Sequence, residues 1–133
     1  MKNGMMAVGL MAVLASWSGA ARADSKCSDF DIIVTNNVLG DDGLGKEVDV
    51  IDFSYFDVED DKWRNEWVSN HRINYGSSWT WNHNLEYVGG ETIKIQIEYQ
   101  VYEDGHWSSH KFKTSPEFTC VDSGHREITL TAN

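Results

Sequence analysis

The chain has 133 residues with 11 basic and 21 acidic side chains, a formal net charge of −10. Nucleic acids and anionic membranes are bound through a positive footprint, which this composition lacks, so a basic protein, a cation or a neutral ligand is the better match. A chain of this length can bury a single core without depending on covalent staples.

Residues 1–23 read as a secretory signal peptide. Lys2 supplies the positive start, an apolar run extends from Met5 to Trp17, and Ala21-Arg22-Ala23 is the small-residue ending at which such leaders are cut. The apolar run is too short to span a bilayer comfortably, and no membrane insertion is expected. Cleavage would leave residues 24–133 as one domain, periplasmic or secreted. Two basic residues and none of the acidic ones lie in the leader, so the mature charge falls to −12.

Cys27 and Cys120 sit near opposite ends of the mature chain, and export carries them through an oxidising compartment. A bond between them is expected. Closing so long a loop stabilises a fold by about 4.7 kcal/mol in the chain-entropy model. The bond is therefore read as a clamp on terminal strands that a hydrophobic core already holds.

Alternation of period two recurs through the mature chain, and no stretch has persuasive helical periodicity. Expected strands, in order, are Asp29–Thr35, Val48–Phe56, Trp63–Val68, Ser77–Tyr87, Glu91–Tyr102, Trp107–Lys113, Glu117–Val121 and Arg126–Thr131. In the second, the apolar phase changes between Val50 and Ile51, which a β-bulge explains. The third has an alternative as a short helix capped by Asp60. In the fourth, Trp79 and Trp81 alternate with polar residues and read as core, with His83 as a hydrogen-bonded structural histidine. A three-residue loop ending at Gly90 would pair this strand with the fifth, setting Leu85 opposite Ile93 and Trp81 opposite Ile97.

Asp104-Gly105 is the strongest hairpin signal, because a type I′ turn needs two residues with positive φ. That turn pairs Glu103 with His106 and Tyr102 with Trp107, and an uninterrupted register continues to Glu98 with Lys111 and Ile97 with Phe112. The sum is an all-β fold: a small antiparallel Greek-key sandwich of the immunoglobulin or C2 kind, with seven or eight strands and one disulfide. A small closed barrel is the alternative.

Several constellations invite chemistry. The run Asp57-Val58-Glu59-Asp60-Asp61 offers oxygen ligands to calcium, with Asp41 and Asp42 as further donors. It is no EF-hand, because Lys62 and Val68 stand where that loop requires Gly and Glu, and a solvated acidic turn is the preferred reading. The five histidines form no zinc pattern, and His106 and His110 would lie about 13 Å apart on one strand. There is no nucleophile elbow, and both cysteines are committed to the disulfide. No enzyme, cofactor or resident metal is expected.

Tyr102, Trp107, Trp63 and Trp67 carry the functional expectation. The three tryptophans are flanked by polar residues near predicted turns, and the register puts Tyr102 beside Trp107 on the outer face. Exposed amphipathic rings anchor protein partners or stack on sugars. The leading expectation is an exported, non-enzymatic binding module holding a protein partner, inhibitor- or immunity-like, its acidic surface turned toward a basic target. A carbohydrate-binding domain for a glycan is the second reading, and a secreted toxin or virulence factor the third.

Overall fold

The computed structural model describes residues 25–132, so the leader and its cleavage point lie outside the described residues. Ten strands follow in chain order: β1 Cys27–Asn37, β2 Val48–Asp57, β3 Lys62–Glu66, β4 His71–Ile73, β5 Ser78–Leu85, β6 Thr92–Glu103, β7 His106–Trp107, β8 Lys111–Thr114, β9 Phe118–Thr119 and β10 His125–Thr131. No helix occurs among the described residues, so the segment after Asp60 is a strand and not a capped helix.

The strands form two sheets. One has three strands in the order β10-β1-β5. The other has seven strands that fill only four side-by-side positions, because β3 and β4 cover successive stretches of one edge of β2 while β7, β8 and β9 cover the far edge of β6. Alternation decides what each sheet buries. Phe30, Ile32 and Val34 of β1 with Ile128 and Leu130 of β10 join Val48, Val50, Phe53 and Tyr55 of β2 and Ile93, Ile95, Ile97 and Tyr99 of β6 in one core. Each such aliphatic or aromatic side chain contributes roughly 1.5–3 kcal/mol relative to exposure.

The expected bulge is present: β2 and β6 pair Val50 with Tyr99 and then Asp52 with Glu98, leaving Ile51 as the extra residue. The turn at Asp104-Gly105 also forms as expected, with both residues at positive φ and the pairs Tyr102–Trp107 and Glu103–His106 in place. Beyond it the register slips. Tyr99 faces Lys111, Glu98 faces Phe112 and Ile97 faces Lys113, one residue away from the uninterrupted pairing. Ser108 is the cause: its amide donates to the Val101 carbonyl (2.8 Å), its hydroxyl accepts from the Val101 amide (3.0 Å), and its carbonyl accepts from the Gln100 amide group (2.7 Å). A serine that satisfies the facing backbone with its own hydroxyl can end a ladder. The chain then takes up an extra residue before β8, and Phe112 turns to the outer face.

The expected hairpin between the fourth and fifth strands does not form. β5 pairs with β1, setting Trp81 opposite Ile32 and His83 opposite Phe30, and the chain crosses to the other sheet through Gly89 and Gly90. Gly90 has a positive φ, and its amide donates to the Cys120 carbonyl at 2.7 Å. β1 and β6 both offer β5 an inward apolar row of the same parity, so alternation does not choose between them.

Pairing is mostly antiparallel, but β10 runs parallel to β1 from Asp31–His125 to Asn37–Thr131. The Cys27–Cys120 bond, with 5.9 Å between its Cα atoms, fixes the reason. It ties the chain to the start of β1 just before a turn in which the Ser123 amide donates to the Ser28 carbonyl and the Asp31 amide to the Gly124 carbonyl. β10 must therefore begin where β1 begins.

Candidate functional site

The outer face of the three-stranded sheet is polar apart from Ile33, and several of its side chains bond one another. Asn82 donates to Asp31 (2.9 Å), and the Thr35 hydroxyl lies 2.7 Å from that of Ser78 and 3.1 Å from Glu127. The outer face of the seven-stranded sheet is different. Its rows run across the strands: Trp63–Phe56–Lys94, then Asn65–Ser54–Gln96–Thr114, then Asp52–Glu98–Phe112, then Arg72–Asp49–Gln100, and at the far end Tyr102–Trp107. Lys94 and Tyr102 are eight residues apart on one strand, so the face is about 27 Å long.

All four aromatic residues singled out in the sequence lie on this face. Trp63 is 44% exposed and packs on Phe56 with ring centres 5.1 Å apart, while the Lys94 ammonium lies 4.9 Å from the Phe56 ring and 5.9 Å from Trp63. Tyr102, 43% exposed, meets Trp107 at 5.1 Å in a tilted pair, and the Arg72 guanidinium sits 5.1 Å over the Trp107 ring. Trp67 follows β3 and is 88% exposed. It lines a shallow pocket of about 200 Å³ with Ile51, Asp52, Val68, Asn70 and Glu98. Phe56, Phe112, Arg72 and Lys94 are members that alternation alone did not single out. Phe112, 55% exposed, reaches the face only through the register slip, for which the Ser108-Ser109 pair is the one sequence signal.

Charge on the face is mixed. Asp52 accepts from the Phe53 amide (2.9 Å) and the Asn65 amide group (2.7 Å), and Glu98 is held by the His110 ring nitrogen. Asp49 has one buried oxygen with no hydrogen-bond partner, while Arg72, opposite it, is turned over Trp107.

Of the two tryptophans expected in the core, Trp81 packs against it while Trp79 is only partly covered. They face inward, but from the edge strand β5, and Trp79 remains 45% exposed. Its ring stacks on His71 of the other sheet at 3.7 Å, and His71 also meets Trp81 edge-on. Beside them His83 packs edge-on against Phe53 and lies 3.5 Å from Glu66, whose carboxyl is pushed above its ordinary value by burial, with His83 pulling the other way. These groups seal one side of the gap between the sheets.

The acidic run is in part the expected solvated turn: residues 58–61 form a turn in which Glu59, Asp60 and Asp61 are exposed, and only the residue before it departs from that reading. Asp57 is fully buried; its carboxylate takes Arg64 at 3.1 Å and the Asp60 amide at 3.2 Å, and the same guanidinium bonds Asp60. Glu91 is buried beside it, and its carboxyl is pushed up by desolvation and then by the charges of Glu59, Asp57 and Asp60. Among the described residues no three His, Cys, Asp or Glu side chains converge to hold a metal, and no helix is long and apolar enough to cross a membrane. Compared with family models, curated proteins and solved structures, the chain matches none.

Proposed function

We propose that this is an exported, non-enzymatic binding module, periplasmic or secreted, whose aromatic sheet face holds a protein partner. One observation carries the reading: Trp63, Trp67, Tyr102, Trp107 and Phe112 share the outer face of one sheet while the other outer face, Ile33 apart, is polar. Aromatic and arginine side chains in a desolvating patch are what protein interfaces use as anchors. The finer architecture proposed is a Greek-key sandwich of immunoglobulin-like pairing, supported by β1 lying beside β5 and β2 beside β6 around one shared core. The single disulfide suits an oxidising compartment.

A protein is favoured over a sugar because cations already lie over rings at both ends of the face, Lys94 over Phe56 and Trp63 and Arg72 over Trp107. Stacking on a sugar requires a free ring face. Trp67, the most exposed ring, keeps a glycan as the second reading. The test is capture from a periplasmic or secreted extract by the wild type, by a Trp63→Ala/Tyr102→Ala variant, and by a Thr80→Arg control on the other sheet. The expected result is a protein retained by wild type and control, lost by the face variant, and released by salt. Equal capture by all three, or binding only to a glycan array, overturns the reading.

A further inference from the structure

The centre of the aromatic face differs from its ends. At the ends this chain's own cations lie against Phe56, Trp63 and Trp107. At the centre the Trp67 ring is 88% exposed, and the pocket it lines, about 200 Å³, holds the carboxylates of Asp52 and Glu98, one oxygen of Glu98 meeting the His110 ring, and is lined by no lysine or arginine. Asp52 is held only by neutral donors, the Phe53 amide and the Asn65 side chain, so nothing in those contacts balances its charge. Arg72, the basic residue of the neighbouring row, is spent on Trp107.

We propose that the Trp67 pocket is a cation-recognition site that takes an arginine side chain of the protein partner. An indole face with two carboxylates at its rim is the complement of a guanidinium, whose plane stacks on the ring while its edge donates to carboxylate oxygens. The chain uses the same chemistry internally, where Arg64 lies 4.6 Å over the Tyr87 ring while bonding Asp57 and Asp60. The formal charge of −10 draws a basic partner toward the face, and the pocket gives that attraction a fixed point. This proposal rests on the protein-partner reading.

The test uses N-acetyl-arginine amide as the probe and N-acetyl-citrulline amide, its uncharged counterpart, as control, following the indole N–H resonance of Trp67 in the secreted protein. The arginine compound is expected to shift that resonance saturably and the citrulline compound to leave it unmoved. Asp52→Asn and Glu98→Gln are each expected to weaken the arginine compound about tenfold, and Glu98→Gln keeps the test open if Asp52→Asn disturbs the β2 backbone. An equal shift by citrulline, or arginine binding unchanged in both variants, overturns the pocket. Loss of partner capture in Trp63→Ala/Tyr102→Ala without any arginine shift at Trp67 leaves the face reading standing and removes this one. An arginine shift together with capture that ignores the face variant does the reverse.

Discussion

Removing the Arg64 guanidinium leaves the buried Asp57 carboxylate with the Asp60 amide as its remaining donor. Stripping one partner from a buried ion pair costs about 3 kcal/mol or more, so Arg64→Ala should lower the urea midpoint sharply, whereas Asp60→Asn, which alters only the exposed arm, should cost under about 1 kcal/mol. Glu91 acts with the opposite sign. Its carboxyl titrates above the ordinary value of 4.5, chiefly because it is buried and then because Glu59 is close, so the native state holds its proton more tightly than the unfolded chain. The stability this contributes is present in acid and is lost as pH rises from about 4.5 through the folded value. Glu91→Gln should therefore raise the melting temperature at pH 7 and leave it nearly unchanged at pH 4. Neither arrangement was legible beforehand. The run Asp57–Asp61 shows its charge in the sequence, but not that Arg64, across the β2–β3 turn, folds back onto it.

At the scale of elements, the Tyr102–Trp107 hairpin was legible because its turn is local: Asp104 and Gly105 both carry the positive φ that a type I′ turn demands. The strand beyond was not. Which residue of a serine pair ends the ladder depends on whether a hydroxyl reaches the facing amide, and that moved Phe112 from the expected core to the outer face. Trp107→Ala removes one cross-strand aromatic contact and the platform beneath Arg72. It should cost about 1 kcal/mol of stability while weakening partner binding by about 2 kcal/mol or more. Denaturant midpoints and binding titrations on the same preparation separate these two effects, and retained affinity in a folded variant would shift the contact surface toward Trp63 and Trp67.

For the whole molecule, the bond between Cys27 and Cys120 sets the direction of β10 as well as closing the chain. Replacing both cysteines by alanine should cost roughly 2–5 kcal/mol. The loss of amide-exchange protection should be concentrated in β10, since β1 keeps its antiparallel partner β5. The all-β class, the bulge beside Val50 and most strand positions follow from alternation, while the choice of sheet for β5 and the parallel edge depend on contacts far apart in sequence. The aromatic face belongs to the same scale, because it takes residues from six strands and the segment after β3. A photo-crosslinking amino acid placed in living cells at Gln96, central on the aromatic face, and at Thr80 on the opposite outer face tests its role most directly. A crosslinked basic protein is expected from position 96 and none from position 80; crosslinks from position 80 alone, or none from position 96, overturn the proposed binding face.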